Sequence, residues 1–74
     1  MKKNKEIIKF ELKGDFIQLI QLLKACSLVE NGGMAQMVVT EGMVKRNGEV
    51  ETRKRAKIVR GEKIEFENFV IEIE

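Results

Sequence analysis

Eight lysine and arginine residues lie between Gly42 and Lys63, against three glutamates, whereas Ile64 to Glu74 holds four glutamates and no basic residue. The formal net charge of +2 is too small to indicate a partner, so the information is in how the charge is segregated. The cations are Lys45, Arg46, Arg53, Lys54, Arg55, Lys57, Arg60 and Lys63. Arginine offers a planar fork of donors that matches phosphate oxygens, and lysine offers a compact charge. A charged run is also what a solvated face looks like, and three or four such residues would imply nothing more. Eight within nineteen residues is denser than solubility requires and points to a polyanionic ligand.

Other chemistry has little to work with. The chain has no His, Tyr or Trp and one Cys, so most general bases and activated nucleophiles are missing and a zinc site is excluded. Cys26 falls on the apolar side of a helical pattern, where it reads as a small core thiol rather than a nucleophile. Glu65, Glu67, Glu72 and Glu74 could gather a hard cation, but they read more simply as the solvated face of two strands. Asn31-Gly32-Gly33 before a helix exposes backbone N–H groups that could hold an anion; as a turn between helices it needs no ligand. These features exclude an enzyme and require no cofactor, metal or small-molecule substrate.

The cationic stretch must be carried by a small scaffold. Ile8, Phe10 and Leu12 alternate with charged residues, which predicts a strand, and Lys13-Gly14 ends it. Asp15 is the expected N-cap of a first helix, with Gln18 reaching back to complete a capping box. Phe16, Leu19, Ile20, Leu23 and Cys26 would form its apolar face, flanked by Ile17 and Leu22. After the break from Ser27 to Gly33, a second helix from Gly33 or Met34 to Glu41 would bury Ala35, Val38 and Val39, with Gly42 closing it.

Asn47-Gly48, between Met43–Arg46 and Glu49–Thr52, is the strongest hairpin signal in the chain. The stretch from Arg53 to Gly61 reads as a basic connector docked through Ala56, Ile58 and Val59. Lys63–Phe66 and Phe69–Ile73 complete a hairpin around Glu67-Asn68, with Ile64, Phe66, Phe69, Ile71 and Ile73 facing inward. The expected order is strand, helix, helix and four short strands. This is an α+β chain whose connections make the sheet mostly antiparallel.

Length allows one domain, 1–74, with its motif core at about 15–66. At 43% apolar and 35% charged the composition is that of a soluble globular chain, with a thin core for its size. The basic start is followed by no apolar signal segment, and no apolar run exceeds three residues, so a cytoplasmic monomer with no membrane partner is expected.

The run from Gly33 to Ile64, with Ala35, the Val38-Val39 pair, Glu41-Gly42, Val44, Asn47-Gly48 and Gly61-Glu62 before an apolar strand, resembles the S-four RNA-binding domain, or alpha-L motif. Within that family the string EGMVKRNGEVETRKRAKI, from Glu41 to Ile58, is similar to that of the small stand-alone bacterial proteins of the YbcJ-like type. The resemblance implies two short helices packed on a small antiparallel sheet, with RNA bound along the helices and hairpin. It also implies that Lys45 points from the hairpin strand towards RNA, and that Arg53, Lys54 and Arg55 match the family's basic loop, followed by Lys57. Many such domains open the second helix with Ser-Arg where this chain has Gly33-Met34, which shifts the expected contacts onto the hairpin and loop. Arg46 stands where an apolar residue is common, as an additional contact or as a side chain that snorkels past the core.

Together these features give a non-catalytic binder of structured RNA, with ribosomal RNA as a candidate target and translation or ribosome association as its setting. Its predicted contacts are Lys45, Arg46, Arg53, Lys54, Arg55, Lys57 and Arg60. The alternative is a protein-protein adaptor whose basic patch meets an acidic partner. Duplex DNA is disfavoured, because the polar side of the second helix offers Gln36, Thr40 and Glu41 and no cation. Phe10, Phe16, Phe66 and Phe69 all fall at expected core positions, which argues against a stacking platform for single strands.

Overall fold

A computed structural model describes residues 5–74. In chain order the elements are β1 (Glu6–Phe10), β2 (Ile17–Gln18), α1 (Leu19–Ala25), α2 (Gly32–Thr40), β3 (Val44–Arg46), β4 (Glu49–Val50), β5 (Lys57–Ile58), β6 (Lys63–Phe66) and β7 (Phe69–Ile73). The chain is α+β. Its five-stranded sheet has the order β1-β7-β6-β3-β4, antiparallel except for the parallel pairing of β1 with β7. A second, two-stranded ribbon pairs β2 with β5.

Strand alternation sorts the two sheet faces. Val44, Ile64, Phe66, Ile71 and Ile73 turn inward and meet Leu19, Leu22 and Leu23 of α1 and Ala35, Val38 and Val39 of α2. Leu12, Val29, Ala56 and Ile58 complete the same cluster. Full burial of a side chain of Val or Leu size contributes about 1.5–3 kcal/mol, a large fraction of what so small a core can supply.

Both helices end in the same way. After α2, Gly42 takes φ +77° and its N–H donates to Val39 O, while the Met43 N–H donates to Val38 O. After α1, Ser27 at φ +60° fills the equivalent place, its N–H donating to Lys24 O and the Leu28 N–H to Leu23 O. Each is a Schellman closure, favoured by glycine and satisfied here once by glycine and once by serine. The Asn47-Gly48 turn has positive φ at both residues, +53° and +89°, as a type I′ hairpin requires.

Several sequence expectations need correction. The first helix begins at Leu19 rather than Phe16, its N-cap is Gln18 with no side-chain cap bond, and the Asp15 capping box does not form. Ile17 and Gln18 are drawn into the ribbon with β5, two short strands that residue patterning had missed. This pulls Phe16 off the core, and it is 43% exposed. Val59, expected to dock inward, is 41% exposed beyond the end of β5.

Candidate nucleic-acid interface

The basic loop and the start of α1 are built from each other. The Leu19 N–H donates to Ala56 O at 2.9 Å and the Ile20 N–H to Lys54 O at 3.3 Å. N–H groups in the first turn of a helix have no partner within it, so a cap must come from elsewhere. Here it comes from the backbone of the loop, which turns these carbonyls inward. The side chains of Arg53, Lys54, Arg55 and Lys57 are left exposed.

Two carboxylates fix the loop at its ends. Glu62 accepts from Arg46 Nε and Nη2, each at 2.9 Å, from Asn47 Nδ2 at 3.1 Å and from the Val59 N–H at 2.9 Å. Glu51, 8% exposed, accepts from the Arg53 N–H at 3.1 Å, from Arg53 Nε at 3.0 Å and Nη2 at 3.1 Å, and from Arg46 Nη1 at 3.3 Å. Arg46 Nη2 also reaches Lys57 O at 2.8 Å. The Arg46 guanidinium therefore joins β3, the carboxylates on either side of the loop and the start of β5.

The electrostatics follow from these bonds. Hydrogen bonding from Arg53 holds the Glu51 carboxyl down at about 2, against the opposing effect of burial. Burial pushes Glu62 up, but the bonds from Arg46, the Val59 N–H and Asn47 outweigh it, and its net displacement is downward. The bond to Glu62 strengthens Arg46 as a cation. Cys26 is half-buried, and desolvation raises its thiol, which makes it a weaker nucleophile.

The cations expected to act together do not share one surface. Arg53, Arg55 and Lys57 line an open cleft with Arg46 and Ala56, and Lys54 is exposed beside them in the chain. Arg46 lies on the floor of this group, with its side chain only 22% exposed and bonded throughout. Lys45 is turned to the other sheet face, opposite Glu65 in the ladder, and lines a separate groove with Lys5, Met43, Glu65 and Glu67. Arg60 directs Nη2 to Leu12 O at 2.8 Å, away from the cleft. The period-two pattern of β3 is the sequence signal that separates Lys45 from Arg46. Glu51 and Glu62, the acids embedded in the basic run, are the positioning residues that charge counting passed over.

At the other candidate anion site, Asn31 caps α2 by accepting the Met34 N–H at 2.8 Å. The acidic strands gather no cation site: among the described residues no three His, Cys, Asp or Glu side chains converge as metal ligands, and Glu65 pairs with Lys5 at 2.7 Å. No helix among the described residues is long and apolar enough to cross a membrane.

An α+β fold with two short helices on a mixed sheet, and a basic loop clasped to the first helix, defines a class. Residues 10–74 match the family model described as the S4 domain, and the chain belongs to that family. It is 39% identical over 61 residues to YbcJ of Escherichia coli (strain K12), covering 82% of this chain and 87% of that protein. YbcJ of Shigella flexneri gives the same identity and coverage. The solution structure of YbcJ from E. coli, described as revealing an alpha-L motif involved in RNA-binding, superposes with a TM-score of 0.66 at 35% identity, covering 96% of this chain and 89% of that one.

Proposed function

We propose that this chain is a non-catalytic RNA-binding protein that holds structured RNA chiefly through the loop from Arg53 to Lys57. The observation that carries the reading is the loop's construction: its inward carbonyls cap α1, two carboxylates brace it, and Lys54, Arg55 and Lys57 extend into solvent. A braced backbone with exposed cations suits phosphate neutralisation along a helical groove or junction. Membership of the S4 family, and the RNA-binding role given to the alpha-L motif of YbcJ, support the same ligand.

Within this reading the roles divide. Lys54, Arg55 and Lys57 meet phosphates directly, and Arg53 contributes both to the brace on Glu51 and to the surface. Arg46 acts as the strut beneath them. Lys45 and Arg60 lie outside the cleft and make secondary contacts with a larger RNA. Ribosomal RNA is a candidate target, and crosslinking in cells followed by sequencing of the bound RNA identifies it.

The direct test compares wild type with a Lys54→Ala/Arg55→Ala/Lys57→Ala variant in fluorescence anisotropy on structured RNA. The variant should lose affinity broadly across sequences while keeping its unfolding midpoint. Unchanged affinity would move the interface elsewhere. Recovery of an acidic protein partner that survives nuclease treatment, with no RNA affinity, would favour an adaptor instead.

A further inference from the structure

Phe16 is the one aromatic side chain that the fold leaves exposed, at 43%, whereas Phe66 is buried and Phe10 and Phe69 are partly so. Its position follows from the ribbon. Ile17 pairs with Ile58 and Gln18 with Lys57. Because Ile58 is fully buried, its neighbour Lys57 projects outward, and Phe16, next to Ile17, projects outward with it. The Lys57 ammonium lies 4.9 Å from the centre of the Phe16 ring. Lys57 also lines the cleft that holds Arg53 and Arg55. An exposed ring is thus set at the rim of the basic loop, already beside a cation.

We infer that Phe16 is a stacking seat for one unpaired nucleobase, with Lys57 and Arg55 taking the phosphates that flank it. The inference rests on the RNA-binding reading and narrows it: the selected RNA carries an extruded or unpaired nucleotide next to a helical stretch. A ring can stack on any base, because every base has a π-face, but only when that base is outside a continuous duplex stack. Lysine over an exposed ring is a weak contact on a flexible stem, so its ammonium can move onto a phosphate without disturbing the ribbon. Ring, lysine and arginine then serve the three parts of one nucleotide step.

The test uses the full chain and two RNA hairpins of matched sequence, one fully paired and one with a one-nucleotide bulge of 2-aminopurine. Wild type should bind the bulged RNA more tightly and change its 2-aminopurine fluorescence on binding. Phe16→Ala and Phe16→Leu should each weaken binding to the bulged RNA by about tenfold, the size expected for one base-aromatic stack, and abolish the fluorescence change. Binding to the paired hairpin should be unaltered, and Phe16→Trp should restore the preference. Phe16→Leu keeps an apolar side chain without a π-face, which separates stacking from folding. Equal affinity of wild type for the two RNAs, or wild-type behaviour of Phe16→Leu, would overturn the stacking seat while leaving RNA binding in place. Failure of wild type to bind either hairpin would overturn both.

Discussion

The Arg46 guanidinium donates to both oxygens of the Glu62 carboxylate, Nε to one and Nη2 to the other, each at 2.9 Å. This pair links β3 to the turn before β6, and through Lys57 O and Glu51 it reaches both ends of the basic loop. Arg46 is therefore a cation whose charge is directed into the protein, and the neighbouring cations depend on it for position.

Replacing Glu62 with Gln leaves one acceptor oxygen for the donors of Arg46, Asn47 and Val59, and sets an amide donor against the guanidinium. The expected cost is about 1–3 kcal/mol, as for loss of charged hydrogen bonds at a partly buried site. Urea unfolding would show it as a lower midpoint with an unchanged slope. Arg46→Met should cost a similar amount, and its RNA affinity should fall only as far as loop order does.

Acid should weaken the same brace. Glu51 sits at about 2 against an ordinary 4.5, and Glu62 and Glu65 are also lowered. Carboxylates with depressed values add stability that is fully present above 4.5 and is lost as pH falls towards their folded values. Urea midpoints should be level from about pH 5 to 8 and decline between about pH 4.5 and 2. Glu51→Gln should start lower at neutral pH, by about 1–2 kcal/mol after allowance for the solvent around Arg53, and lose less on acidification.

Ser27 gives a prediction of opposite sign. It holds φ +60° at the closure of α1, whereas Gly42 does the equivalent work after α2. Ser27→Gly should stabilise the chain by about 0.5–1 kcal/mol by relieving left-handed strain, and Gly42→Ala should destabilise it by about 1 kcal/mol. Thermal unfolding of the two variants beside wild type measures both.

Hydrogen exchange probes the clasp between loop and helix. Leu19 and Ile20 lie in the first turn of α1, where amides ordinarily exchange fast, yet they donate to Ala56 O and Lys54 O. Their amides should be protected, and protection should fall in Glu62→Gln, whose loop is less firmly held. Fast exchange at both positions in wild type would mean that the loop is not clasped.

The elements that the residues announced are those whose signals are local. Asn47-Gly48 fixes its own turn, Gly42 closes its own helix, and the alternation from Lys63 to Ile73 describes its own hairpin. What escaped depends on partners distant in the chain. The α1 start is set by Ala56 and Lys54 rather than by Asp15, and strands as short as β2 and β5 carry no period. The family string marked the basic loop, but charge counting placed Lys45, Arg46 and Arg60 in the same group. Strand alternation turns Lys45 to the far face, and the buried Glu51 and partly buried Glu62 draw Arg46 inward. Helical spacing places Phe16 on the α1 face, but the helix begins only at Leu19, so the exposure of the ring depends on the ribbon that local spacing does not show.

Neutralisation of RNA phosphates by the exposed loop cations, as proposed, makes affinity depend steeply on salt. The most direct measurement is affinity for a structured RNA across a series of salt concentrations, with wild type and the Lys54→Ala/Arg55→Ala/Lys57→Ala variant side by side. With about five phosphates contacted, log affinity should fall against log salt with a slope of roughly −3.5 to −4.5, and the variant should be shallower by about 2–3. A wild-type slope near zero, or identical slopes for the two proteins, would rule out phosphate neutralisation by the loop.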